Sequence, residues 1–101
     1  MATKFLSAEI AENITELKKL KAMKPSRELS NRLQGMYDAL HQAQNKEWEE
    51  QVEKYKEAKS ALDKAKKAAQ EAINDLTKTA EAIEKSASAI KAVLAALAFA
   101  L

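Results

Sequence analysis

The chain has 101 residues, of which 32% are charged, and its formal net charge at pH 7 is +2. A charge this close to balance gives no reason to expect a dedicated nucleic-acid or membrane-surface protein, and the lack of cysteine excludes disulfides and thiolate chemistry. A single glycine and a single proline, with abundant alanine, glutamate, lysine and leucine, favour helix throughout. We therefore predict one all-α domain over residues 1–101, a helical hairpin or coiled-coil bundle.

The first predicted helix covers residues 7–23, with Ser7 as its N-cap. Its apolar residues recur at steps of four and three, which places them in one stripe on one face. Four cations crowd its last turns: Lys18, Lys19, Lys21 and Lys24. The helix dipole favours cations there, and the same lysines are candidates for contact with an anionic partner.

The second predicted helix covers residues 26–44. Pro25 breaks the chain before it, and Ser26 is placed to cap it. Its apolar residues again recur at steps of four and three. Gly35 interrupts this helix at a cost of about 1 kcal/mol relative to alanine, and we expect it to allow close approach of another backbone.

The third predicted helix covers residues 47–101 and carries a heptad seam that runs from position 48 to position 97 without a slip. Lys59 and Lys66 interrupt the seam, and their long aliphatic stems can lie along it. The predicted interaction residues are Trp48, Val52, Tyr55, Leu62, Ala69, Ile73, Leu76, Ala80, Ile83, Ala87, Ile90, Leu94 and Leu97.

The length of the third predicted helix leaves two architectures open. We expect a turn near Asn45 before it, although a continuous helix with a stutter is the alternative. Residues 47–101 as one straight helix would span about 80 Å, which no compact chain of this size accommodates. Either the molecule is a rod, or this helix breaks near its weakest helix formers, Asn74, Thr77 and Thr79. A rod would leave seam residues uncovered, so we expect a homo-oligomer or another helical protein as partner.

Residues suited to catalysis are scarce. His41 is the single histidine, and Asp38 and Asn45 on the same helical face are too few to hold a metal. One glycine cannot form a phosphate-binding loop. We therefore predict no enzyme activity, no cofactor and no metal. The first ten residues lack the apolar core of a secretory signal, which favours a cytoplasmic location without excluding signal-less secretion.

The C-terminal residues 90–101 are strongly apolar, which raises two functions. Their large side chains share one helical face, as in a bundle, and this favours a structural or adaptor protein that acts through helix–helix contacts. The alternative is a membrane-active helical protein, such as a pore, lysis or secretion-apparatus component, whose C-terminal helix enters lipid.

Overall fold

A computed structural model of the chain describes residues 3–4, 6–44, 48–49 and 53–98. The four helices are α1 (Ser7–Met23), α2 (Arg27–Ala43), α3 (Glu53–Asn74) and α4 (Thr79–Leu97). A turn of 3-10 helix, Leu76–Lys78, precedes α4. Apart from one strand pair, these residues form helices, which confirms the predicted all-α helical bundle.

The first two helices differ most at their N-caps. Ser26 precedes α2 in extended backbone, and its Oγ accepts a hydrogen bond from the Leu29 N–H at 3.0 Å, as predicted. The cap expected for α1 is wrong, because Ser7 is already its first helical residue. Leu6 holds the cap position, has no polar side chain to offer, and is fully buried in the core.

The single long C-terminal helix predicted over 47–101 is also wrong, and the alternative, a break near Asn74, Thr77 and Thr79, is confirmed. Within residues 53–98 the chain forms α3, the 3-10 turn and α4, with the break at Asp75. Asp75 is extended, and its carboxylate accepts hydrogen bonds from the Thr77 N–H at 3.1 Å and the Thr77 hydroxyl at 2.7 Å. Short polar side chains that bond to nearby backbone compete with helix, and here they do so without glycine or proline.

The chain reverses direction at this break. Placed end to end, α3 and α4 would extend about 60 Å, whereas the longest dimension of the molecule is 41 Å. These two helices also make the most extensive contact in the fold. The radius of gyration, 13.2 Å, matches the value of about 13 Å for a compact chain of 100 residues. The rod alternative is therefore excluded.

Helices α1 and α3 lie side by side and run in the same direction. Glu9 of α1 pairs with Lys59 of α3 at 4.0 Å, and Glu12 pairs with Lys66 at 3.0 Å, so residue numbers rise together. Next to Glu12, the buried Asn13 amide donates to the Leu62 carbonyl oxygen of α3 at 3.1 Å. The chain has therefore returned to the starting end of α1 before α3 begins.

Helices α2 and α4 are also neighbours with a common direction. Arg32 donates through Nε to the Ile83 carbonyl oxygen at 3.3 Å, and Gly35 lies against Ile90. Since α1 also packs on α2 and α3 on α4, the helices form a ring in the order α1, α2, α4, α3.

A two-residue strand pair joins segments that sequence periodicity did not connect. Strand β1 (Thr3–Lys4) pairs antiparallel with β2 (Trp48–Glu49), with Thr3 opposite Glu49 and Lys4 opposite Trp48. Trp48, predicted as the first seam residue of a helix, thus lies in a strand, and α3 begins only at Glu53. The turn predicted near Asn45 and the seam residue Val52 fall outside the described residues.

Candidate interaction surface

The predicted seam enters the core of α3 but not that of α4. In α3 its members Tyr55, Leu62 and Ala69 are buried. In α4 the buried residues are Thr79, Ala82, Ser86, Ala89, Val93 and Ala96. Each of these lies one position before a predicted seam residue, which is a rotation of about 100° on a helix. Most of these buried side chains are small, which permits the neighbouring helices to pack closely against α4.

The remaining seam residues lie beside this buried line rather than on it. Six of them are half-buried: Ile73, Leu76, Ile83, Ala87, Ile90 and Leu97. Ala80 is exposed, and Leu94 is 43% exposed. The structure therefore uses most of the described seam within the single chain and brings no continuous stripe of large side chains to the surface. The self-association predicted from the seam stays a prediction.

Gly35 allows a close approach, but by a side chain. A Cβ atom at this position would lie 2.7 Å from the Ile90 Cδ1 atom, well inside van der Waals contact. The glycine thus makes room for a seam residue of α4 on the face of α2. The three heavy atoms nearest to this position all belong to the Ile90 side chain, so a side chain lies closer than the neighbouring backbone expected there.

Two of the four predicted lysines line a surface groove between α1 and α2, which we call the α1–α2 groove. Its volume is about 530 Å³. It is lined by Lys18, Lys21, Ala22, Pro25, Ser30, Leu33, Gln34 and Tyr37. The Lys18 Nζ atom lies 5.7 Å from the centre of the Tyr37 ring, within cation–π range. The lining residues thus include two cations and no carboxylate.

The other two predicted lysines have different surroundings. Lys19 lies outside the groove and pairs with Glu16 at 3.5 Å. Lys24 is exposed just before Pro25. Within the described part of the chain, neither Lys21 nor Lys24 forms an ion pair. The structure therefore brings Lys18 and Lys21 together in one groove and leaves Lys19 and Lys24 outside it.

A second groove of about 530 Å³ differs in its charge. It involves α3 and α4 and is lined by Glu53, Lys56, Glu57, Ser60, Ala61, Lys64, Lys85 and Ser88. Because both signs occur along its walls, its carboxylates and ammonium groups partly cancel one another's field. The α1–α2 groove has no such compensation among its lining residues.

The cations between α1 and α3 are already committed to partners. A hydrogen bond to Glu12, reinforced by the charge of that carboxylate, raises the pKa of Lys66. A hydrogen bond to Asp63 is the largest cause of the raised pKa of Lys59, with Glu9 adding to it. These lysines hold α1 against α3 and so are less available to an outside partner than those of the α1–α2 groove.

The two ionisable residues singled out in the sequence, Asp38 and His41, both lie at exposed positions of α2. Asp38 accepts a hydrogen bond from Gln34 at 3.0 Å. Across residues 6–44 and 53–98, no group of three or more histidine or acidic side chains is placed to hold a metal ion. None of the described helices is long and apolar enough to cross a membrane.

Comparisons with models of protein families, with curated proteins and with solved structures found no match to this chain. The α1–α2 groove is the feature of the described chain that bears most directly on function. Sequence reasoning found its lysines but missed Tyr37, Leu33 and Ser30, which come from the next helix. Tyr37 lies nineteen positions after Lys18, and only the packing of α2 on α1 brings them together.

Proposed function

We propose that this protein is a non-enzymatic adaptor that binds an acidic helical segment of another protein in the α1–α2 groove. The observation that carries the proposal is a groove with two lysines, an aromatic wall and no carboxylate among its lining residues. Cations without anionic neighbours favour a partner that supplies the missing negative charge.

The spacing of the groove residues suits a helix. Lys18 and Lys21 are three positions apart on α1, which separates them by about 4.5 Å along the axis. Carboxylates one turn apart on a partner helix have a similar spacing. Leu33 and Ala22 supply apolar contact, and the Tyr37 side chain, on a residue 40% exposed, provides a rigid aromatic contact. An amphipathic helix with acidic and apolar residues fits this combination.

Charge outside the groove would steer the same partner. Residues 18–34 contain six cations and one anion, whereas residues 35–63 contain seven anions and four cations. The ion pairs between α1 and α3 put the start of α3 beside the start of α1, away from the turn at Pro25. An acidic partner would therefore approach the Pro25 end of the molecule faster at low ionic strength.

A binding titration with matched variants tests this proposal. The probe is a fluorescent acidic amphipathic peptide, titrated at low and at high salt. The variant Lys18→Glu/Lys21→Glu should weaken binding by about tenfold or more, since two favourable charge contacts become repulsive. The control Lys64→Glu/Lys67→Glu makes the same charge change at the same spacing on exposed positions of α3. If both variants weakened peptide binding equally, or if neither did, the proposal of a specific binding groove would be wrong.

The scaffold that supports the groove also has a finer proposed arrangement. We propose that α1–α2 and α3–α4 are two helical hairpins, the second packed as a short coiled coil with alanine at most contact positions. Buried residues recur in α4 at steps of three and four, which supports this packing. Small side chains at these positions favour a short distance between the helix axes.

The alternative function, a membrane-active C-terminal helix, has less support. Val93 and Ala96, which lie in the apolar end of the chain, are fully buried against the bundle. Insertion into lipid would require α4 to leave these contacts. Flotation with anionic vesicles decides between the two functions. Vesicle binding that survives the Lys18→Glu/Lys21→Glu change, with no binding of the acidic peptide, would favour the membrane alternative.

A further inference from the structure

The turn between α3 and α4 departs from helix over very few residues. The Asp75 N–H still donates to the Glu71 carbonyl oxygen at 2.8 Å, as in a helix. Asp75 then has φ −146° and ψ 98°, which is extended. Leu76–Lys78 are 3-10 helix, and Thr79 has right-handed helical angles. Conversion of the turn into helix therefore requires a change of backbone angles mainly at Asp75.

The residues around the turn include neither of the two strong helix breakers, glycine and proline. The single glycine and the single proline lie at positions 35 and 25, so neither occurs in α3, the turn or α4. The heptad seam also crosses the turn in phase, through Ile73, Leu76, Ala80 and Ile83. In the closed chain Ile73, Leu76 and Ile83 pack only at the edge of the core, because α4 buries the line one position earlier.

We propose that the chain also forms a dimer by exchanging α4 between two copies. In each copy the turn becomes helix, so that α3 and α4 join into one helix of about 68 Å over residues 53–97. The α4 segment of each copy then packs on α3 and α2 of the other copy. The contacts of α4 with α3 and α2 are kept between copies, those of the turn itself are lost, and the two copies add a new contact near the former turn.

The new contact gives the in-phase seam a role. Ile73 and Leu76 are half-buried and Ala80 is exposed in the closed chain, so all three have surface left to cover. Two long helices that cross at the former turn would bury these residues against their copies. A second copy of the same chain thus covers this surface, and the fraction of dimer rises with protein concentration.

The closed form is held by the cap at Asp75. Its carboxylate accepts two hydrogen bonds from Thr77. In a continuous helix the Thr77 N–H would instead donate to a backbone carbonyl oxygen one turn earlier, so this cap would not be needed. The change Asp75→Ala removes both bonds and adds a strong helix former. After refolding from urea at about 1 mM, we expect at least a severalfold larger dimer fraction for this variant than for the wild type, measured by sedimentation equilibrium.

Proline at position 76 should have the opposite effect. Leu76 follows the extended Asp75 and is the first residue of the 3-10 turn, a position where proline fits. Inside a continuous helix the same proline removes a hydrogen bond and clashes with the preceding turn. Leu76→Pro should lower the dimer association constant by about a hundredfold or more. The control Leu76→Ala loses the same side chain without the backbone constraint and should dimerise far better.

A crosslinking experiment separates exchange from simple side-by-side association. Because the chain has no cysteine, Ser60→Cys/Ser88→Cys introduces the only two thiols, and both line the groove of α3 and α4. A short bis-maleimide applied to the isolated Asp75→Ala dimer should join different chains. Crosslinks confined to single chains, equal dimerisation of the Leu76→Pro and Leu76→Ala variants, or a strictly monomeric Asp75→Ala protein would each overturn the proposal.

Discussion

The two pairs of helices bury different kinds of side chain. The large buried residues of α1 and α2 are Ile10, Ile14, Leu17, Leu20, Leu29, Leu33 and Met36. In α3 and α4 the buried residues are mostly alanine, and the larger ones among them are Tyr55, Leu62 and Val93. The first pair therefore contributes mainly apolar area to the core, whereas the second contributes close packing between helices. Substitutions that shorten a buried side chain should therefore destabilise the first pair most. Substitutions that enlarge a buried side chain should destabilise the second pair most.

Leu17→Ala should have the largest effect, because this leucine is fully buried in α1. Removing a buried leucine costs about 2–5 kcal/mol in lost transfer energy and cavity formation. The matched change is Leu94→Ala in α4, where the leucine is 43% exposed and the cost should be well below that range. Urea denaturation monitored by circular dichroism measures both. A similar loss of unfolding free energy in the two variants would contradict the contrast drawn between the two pairs.

Ala89→Leu should be the next most harmful change. Ala89 is fully buried in α4, and a leucine there must push neighbouring helices apart or adopt a strained rotamer, at about 1–3 kcal/mol. Ala95→Leu makes the same change at an exposed position of the same helix and should be nearly neutral. Thermal unfolding of the two variants tests the claim. An Ala89→Leu protein as stable as the wild type would mean that α4 is loosely packed.

Position 86 should respond in the opposite direction. The Ser86 hydroxyl is fully buried in α4 and has no hydrogen-bond partner among the described residues. Replacement by alanine removes an unsatisfied polar group and should stabilise the protein by about 1 kcal/mol more than Ser88→Ala, the exposed control. Both changes add the same helix propensity, so the difference between their denaturation midpoints reports burial alone. A destabilised Ser86→Ala protein would indicate a bonded hydroxyl.

The smallest effect is expected where the two pairs meet at the surface. Glu12→Gln removes the carboxylate that raises the Lys66 pKa, so NMR titration should find this pKa lowered toward its usual value. Since the folded-state pKa is raised, the pair stabilises the protein fully below the unfolded pKa and loses its effect as pH rises through the folded one. Glu84→Gln, on exposed α4 surface, should leave the Lys66 pKa unchanged.

The sequence predicted the first pair of helices well because its determinants are local. Pro25 and the Ser26 cap act within a few residues, and the large apolar residues of α1 and α2 recur with helical period. A break near Asn74, Thr77 and Thr79 is only one of two alternatives that the sequence allows, because this stretch contains neither glycine nor proline. Its cap is visible only once the Asp75 side chain is seen to bond Thr77.

Alanine explains the error in α4. A heptad pattern follows the large residues, and in this helix Ile83 and Ile90 lie beside the contact line instead of on it. Alanine occurs on both faces of this helix, buried at Ala89 and exposed at Ala95, so the periodicity of the large residues cannot show which alanines are buried. The strand pair and the α1–α2 groove were out of reach for another reason. Both join residues that are far apart in sequence, such as Lys4 and Trp48, or Lys18 and Tyr37.

The parallel placement of α1 beside α3 and of α2 beside α4 has a consequence for folding kinetics. The bonds that join the pairs, Asn13 to Leu62 and Arg32 to Ile83, close loops of 49 and 51 residues. Contacts within each pair can form across a short turn. Local contacts form early because they cost little loop-closure entropy, so each pair should assemble before the two dock. Stopped-flow refolding of Asn13→Ala should then show slower docking with an unchanged early helical phase.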